Sequence, residues 1–97
     1  MIRIREIFYL RFGEFKAAKQ MLEQWDKQVD TPAKERKVLS DYTGTDYRLI
    51  MEETYESLDA WEKGMMRELA TQKFQEWYAG FKKLVRYSER EILKVIW

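Results

Sequence analysis

The stretch from Tyr47 to Lys63, YRLIMEETYESLDAWEK, constrains the chain most, because it joins an extended pattern to a helical one without a linker. Its first half mixes β-branched, aromatic and large apolar residues (Tyr47, Leu49, Ile50, Met51, Thr54, Tyr55), the composition of a half-buried strand. Ser57 is a good N-cap, and Asp59 puts a negative charge in the first turn, where it meets the helix dipole. A strand that delivers a helix is expected here, and the rest of the chain must pack around that junction.

Upstream, Ile2, Ile4, Phe8, Leu10 and Phe12 share one face at period two, interrupted by Glu6, while Arg3, Arg5, Ile7, Tyr9 and Arg11 take the other. The first strand is expected over Ile2 to Phe12, punctuated by Gly13. From Glu14 onward, Phe15, Ala18, Leu22, Trp25 and Val29 recur at spacings of three and four, an amphipathic helix that Pro32 stops by Asp30 to Thr31. A charged run, Lys34 to Lys37, precedes Val38 to Thr43, read as an edge strand with Val38, Leu39 and Tyr42 as its apolar residues. Gly44 turns that strand into the one that begins at Tyr47, which makes a hairpin.

Past Ser57, Leu58, Trp61, Met65 and Leu69 define one helical face, and Phe74, Trp77, Tyr78, Phe81, Leu84 and Val85 another. At roughly 100° per residue the two faces point about 140° apart, so one straight rod cannot bury both against one sheet. The break is expected at Ala70 to Lys73, with Thr71 as a new N-cap. Ser88 to Trp97 carries Ile92, Leu93, Val95, Ile96 and Trp97 almost without alternation, which predicts a last strand buried on both faces.

The expected order is β-α-β-β-α-β in a single domain over residues 1–97. It is an α+β, ferredoxin-like arrangement, with a four-stranded antiparallel sheet, right-handed crossovers and helices on one face. Ile7 next to Phe8, Ile50 next to Met51 and Ile92 next to Leu93 put apolar groups on both sheet faces. A chain of 97 residues has no further elements to cover the helix-free face. A homodimer through that face is therefore expected.

Composition excludes several chemistries. The chain has no Cys, no His and no Asn, which removes disulfides, thiol nucleophiles, Cys or His zinc sites, Ser-His-Asp triads and imidazole proton transfer. Eighteen basic against 17 acidic residues leave a net charge of +1, with no field to draw nucleic acid or an anionic membrane. No apolar run reaches the ~20 residues of a membrane span, and MIRIREIF lacks the apolar stretch of a signal peptide, so a cytoplasmic location is expected.

The strand ending at Gly13, the hairpin TGTDYRLIMEETYES, and Trp61 and Glu62 just inside the helix give the chain a pattern that resembles the dimeric α+β barrel superfamily. Within it, the likeness is to small NIPSNAP-like proteins and to relatives of the antibiotic-biosynthesis monooxygenases. The resemblance implies two sheets packed face to face in a homodimer, and a ligand between sheet and helices of each subunit. Haem-degrading members of the superfamily use an Asn, a Trp and a His, a set that this chain cannot supply.

Tyr55, Trp61, Trp77 and Tyr78 are candidates to line a pocket for a flat ligand, although aromatics at helical spacing also serve as plain core. Arg3, Arg5 and Arg11, beside Tyr9, could hold a carboxylate or phosphate, or equally pair with Glu53, Glu56 or Glu91 on neighbouring strands. Ligand-binding residues are accordingly expected at Tyr55, Trp61, Trp77, Tyr9 and Arg11. Glu52 and Glu53 point to opposite faces and cannot form a dyad, and Glu52 with Glu56 lacks a metal-binding motif, so neither metal nor other cofactor is expected. Met65 and Met66 are read as packing.

Two function classes follow. One is a binding or structural module for an apolar or aromatic small molecule, an acidic one included, with an Arg as polar handle. The other is a cofactor-free monooxygenase or isomerase in which Tyr55 or a strand glutamate moves a proton.

Overall fold

A computed structural model describes residues 1–44 and 47–97. The elements are β1 (Ile2–Leu10), α1 (Phe15–Gln28), β2 (Glu35–Ser40), β3 (Arg48–Tyr55), α2 (Leu58–Leu69), α3 (Gln72–Phe81) and β4 (Val85–Lys94), with a single 3-10 turn at Lys82–Leu84 leading into β4. The strands form one antiparallel sheet in the order β2-β3-β1-β4, so the two central strands are β1 and β3. This is the expected α+β, ferredoxin-like arrangement.

Period-two alternation decides which side chains meet the helices. Ile4, Phe8 and Leu10 of β1 share a face with Leu49, Met51 and Tyr55 of β3, and the helices pack there. The core on that face comes in two parts: Leu10, Ala18, Leu22, Leu49 and Phe81 at one end, and Ile4, Tyr55 and Trp61 at the other. The helix break separates them. Helix α2 ends at Leu69, and the Thr71 hydroxyl accepts a hydrogen bond from the Phe74 amide at 3.2 Å to start α3. Trp61 thereby covers one half of the core and Phe81 the other. At the strand-to-helix junction the Ser57 hydroxyl accepts from the Ala60 amide at 3.1 Å, as its N-cap position predicts.

Several boundaries differ from the sequence expectation. Strand β1 stops at Leu10, and Phe12 is exposed beyond it, because the chain must turn at Gly13, whose φ of +82° favours glycine. Strand β2 begins inside the charged run and ends at Ser40, leaving Tyr42 fully exposed in the loop. Of its charges, Arg36 pairs across the sheet with Glu53, directly opposite, whereas Lys37 pairs with Glu35 on its own strand at 3.2 Å. Tyr47, expected to open β3, instead takes a left-handed φ of 64° and uses its carbonyl to accept from the Leu10 amide at 2.7 Å. Thr45 and Asp46, in the hairpin motif TGTDYRLIMEETYES, lie outside the described residues.

The largest correction concerns β4. It spans Val85–Lys94 rather than Ser88 to Trp97, and it is an edge strand with Ile92, Leu93, Val95 and Trp97 exposed. The expected burial on both faces is not found within the chain, since Ile92 on the helix side and Leu93 on the helix-free side are both exposed, and among the described residues β1 alone pairs with it. Met66 is likewise exposed rather than packed, pointing away from the face that buries Trp61.

Candidate functional site

Between the two halves of the core the sheet and helices form a cavity of about 460 Å3, open on one side. Its floor is Glu6 and Phe8 of β1, Met51, Glu53 and Tyr55 of β3, and Ser88 and Arg90 of β4. Helix α1 contributes Leu22 and Trp25, α2 contributes Trp61, Met65, Glu68 and Leu69, and α3 contributes Phe74, Trp77, Tyr78 and Phe81. Leu69 and Tyr78 are partly exposed and mark its open side.

The wall is a continuous aromatic surface. Phe8 meets Phe81 edge-on at 5.0 Å between centroids, Phe81 stacks on Trp77 at 4.6 Å, Trp77 stands 5.4 Å from Trp25, and Trp25 meets Phe74 edge-on at 5.5 Å. The Trp77 indole donates to the Met21 carbonyl at 2.7 Å, which fixes its ring against α1.

Three carboxylates face this wall, and each is held differently. Glu6 and Arg90 are directly opposite in the β1–β4 register and form an ion pair, with the guanidinium 5.2 Å from the Trp61 ring centroid. Glu53 and Arg36 are directly opposite in the β2–β3 register, with Arg36 Nε 2.9 Å from Glu53 Oε2; the contact is ionic rather than an aligned hydrogen bond. Arg36 is shared with Asp26 of α1 at 2.6 Å. Glu68 has no cross-strand partner, being on a helix, and accepts from the Trp25 indole nitrogen at 2.7 Å.

Burial sets the proton affinities. Desolvation pushes the Glu6, Glu53 and Glu68 carboxyls above the ordinary glutamate value, partly offset by Arg90 at Glu6, by Arg36 and the Tyr55 hydroxyl at Glu53, and by the Trp25 hydrogen bond at Glu68. Tyr55 is pushed up to about 12, chiefly by burial, and its hydroxyl lies 3.1 Å from that of Thr31. It therefore keeps its proton near neutral pH and acts as a hydrogen-bond donor, whereas the carboxyls are the groups able to take a proton.

Of the five expected ligand residues the structure brings together Tyr55, Trp61 and Trp77, joined by the further candidate Tyr78, and separates Tyr9 and Arg11 from them. Tyr9 lies on the helix-free face, stacked on Tyr87 at 4.3 Å, and Arg11 donates to the Lys83 carbonyl at 3.0 Å beyond the end of β1. Arg3 and Arg5 are also on that face, paired with Glu52 at 3.3 and 3.4 Å, and Arg5 with Glu91 at 2.9 Å. Glu56 pairs with Lys34 at 3.1 Å, outside the cavity. The cavity's own arginine, Arg90, carries no spare charge for an acidic ligand because Glu6 already holds it.

Glu6, Glu68, Phe74 and Arg90 do not emerge from the sequence reading as site residues. Glu6 carries a signal nonetheless, as the one charge on the apolar face of β1, and Glu68 falls seven residues after Trp61, on the same side of α2.

No protein-family model matches the chain, and no curated protein matches it in sequence. Its fold, however, is found in solved structures. A NIPSNAP family protein from Agrobacterium tumefaciens superposes with a TM-score of 0.86 at 19% identity, over 96% of this chain and 90% of that one. A NIPSNAP domain protein from Burkholderia xenovorans gives 0.85 at 13%, over 98% and 94%. A candidate antibiotic biosynthesis monooxygenase from Nitrosomonas europaea gives 0.77 at 12%, over the whole of both chains. The chain thus has the ferredoxin-like α+β fold that these NIPSNAP proteins and the monooxygenase-like domain share, as its sequence pattern suggests.

Proposed function

We propose that the chain is a small-molecule-binding domain that works as a homodimer, with an apolar or aromatic ligand held in the cavity between sheet and helices. The observation that carries this reading is the cavity itself: about 460 Å3, walled by aromatic rings and furnished with a few buried polar groups. That combination of volume, wall and sparse polar contacts is the usual make-up of a ligand site. Its polar groups favour a ligand that donates hydrogen bonds over an acidic one, since Glu6, Glu53 and Glu68 outnumber Arg90. The homodimer is supported by the exposed apolar groups of β4, Leu93 among them, at a sheet edge and on a face that no helix covers.

Tryptophan fluorescence tests ligand binding directly, because Trp25, Trp61 and Trp77 line the cavity. Trp97 is fully exposed, and Trp97→Phe removes its background. Saturable quenching by apolar aromatic alcohols or amines is expected, and its absence across such a set would remove the reading.

A second reading, a cofactor-free monooxygenase or isomerase, draws on one observation: carboxyls with raised proton affinity, Glu53 among them beside the Tyr55 hydroxyl, face a half-open, largely apolar cavity. Oxygen uptake or isomerisation that is lost in Glu53→Gln and reduced in Tyr55→Phe would favour it. Quenching without turnover favours the binding domain.

A further inference from the structure

The three carboxylates of the cavity are not equivalent. Glu6 and Glu53 each face an arginine across the sheet, fixed there by strand register, so their charges are matched within the fold. Glu68 reaches the cavity from α2, and among the described residues no lysine or arginine nitrogen lies within 4.0 Å of it. Arg36, which acts on Glu68 only from a distance, is already divided between Glu53 and Asp26. Among the described residues the one hydrogen bond to the Glu68 carboxylate comes from the neutral indole of Trp25 and occupies a single oxygen, Oε1. A carboxylate so placed, at a half-open cavity walled by aromatic rings, is short of one positive charge.

We propose that the cavity takes a protonated amine carried on an apolar or aromatic body, with the ammonium group on Glu68 and the body along the Trp77 and Phe81 rings. This deepens the ligand-binding reading above and rests on it. The chemistry matches on both sides. An ammonium group gives Glu68 charge-assisted hydrogen bonds, and the Trp25 and Phe74 rings that line the same cavity carry the negative quadrupoles that attract a cation. A metal ion is a poorer occupant, because among the described residues no group of three or more carboxylates converges on one point. A free acid would meet an excess of like charge.

The test compares three probes of one shape, phenylbutylamine, phenylbutanol and phenylbutyrate, on the full chain near neutral pH by tryptophan fluorescence and calorimetry. The amine is expected to bind about tenfold more tightly than the alcohol, and the acid more weakly than either. In Glu68→Gln, which can still accept from Trp25, the amine should fall to the affinity of the alcohol while the alcohol stays within about twofold. The comparison of probes on the unaltered protein stands even if that variant fails to fold. Alcohol binding as tight as amine, or a preference for amine that survives Glu68→Gln, would overturn the ammonium assignment and leave the cavity as a ligand site. Binding of none of the three would overturn both.

Discussion

The Trp25 indole nitrogen donates to Glu68 Oε1 at 2.7 Å, a bond that ties α1 to the last turn of α2 across 43 residues of sequence. It does two things at once. It satisfies a partly buried carboxylate, and it turns one edge of the Trp25 ring toward the helix and leaves the ring to meet Phe74 and Trp77. The wall of the cavity and its polar anchor thus depend on the same contact.

Trp25→Phe keeps an aromatic ring but removes the donor. Loss of stability by about 1 to 3 kcal/mol is expected, from the unsatisfied carboxylate and the missing ring volume together. In a double-mutant cycle with Glu68→Ala, measured by chemical denaturation, the coupling should be about 1 kcal/mol, since the two residues share one hydrogen bond. Additivity within about 0.3 kcal/mol would show that the contact does not stabilise the fold.

The pH dependence follows from directions of shift. Glu6, Glu53 and Glu68 have folded-state pKa values above the unfolded ones. Such a group adds stability that is fully present below the unfolded value and lost as pH rises through the folded one. Asp41 has the opposite shift, held down by hydrogen bonds from the Arg48 guanidinium, so its contribution is lost as pH falls below the ordinary aspartate range. Ligand-free protein should therefore be most stable in mildly acidic solution and lose stability as pH climbs above the glutamate range. Glu68→Gln should flatten that decline. Denaturation midpoints that rise steadily toward neutral pH would contradict it.

Thr71→Ala tests the helix break. The hydroxyl caps α3 through the Phe74 amide, so its loss should cost about 1 kcal/mol. Because Phe74 and Trp77 follow directly, the near-ultraviolet circular dichroism of the aromatic wall should weaken while far-ultraviolet helix content is kept. An unchanged aromatic signal with unchanged stability would mean that packing alone positions α3.

The break at Ala70 to Lys73 is legible from sequence because two apolar stripes of different phase cannot both face one sheet, and that geometric conflict has a single resolution near Thr71. The cavity is less legible for a related reason. Aromatic rings at helical spacing look alike whether they close a core or leave a gap, and only the three-dimensional offset of α2 from α3 leaves one here. Glu6 is the residue through which the gap could be read, since a carboxylate on an apolar strand face needs a partner, and Arg90 stands opposite it. Tyr9 and Arg11 fall outside the cavity for opposite reasons: Tyr9 has the wrong strand parity, and Arg11 lies past the end of β1. An apolar run such as Ile92 to Trp97 carries no mark of whether the same chain or a second one covers it, and the burial of β4 on both faces that it suggests is not provided by the chain itself.

Leu93 lies opposite Arg3 on the helix-free face and is 44% exposed, and the stacked Tyr9 and Tyr87 rings stand on the same face toward the other end of the β1–β4 pair. Isologous pairing of two such faces would bury these groups against their own copies, with the Arg3, Arg5, Glu52 and Glu91 ion pairs drawn away from water as well. Charge pairs that are shielded in this way gain strength, while a new charge placed among them without a partner is costly. Sedimentation at micromolar concentration should therefore give a dimer, and Leu93→Glu should shift it to monomer with its circular dichroism spectrum retained. A well-folded monomer of the unaltered chain would refute the proposed pairing. A dimer that persists in Leu93→Glu would move the contact to another surface.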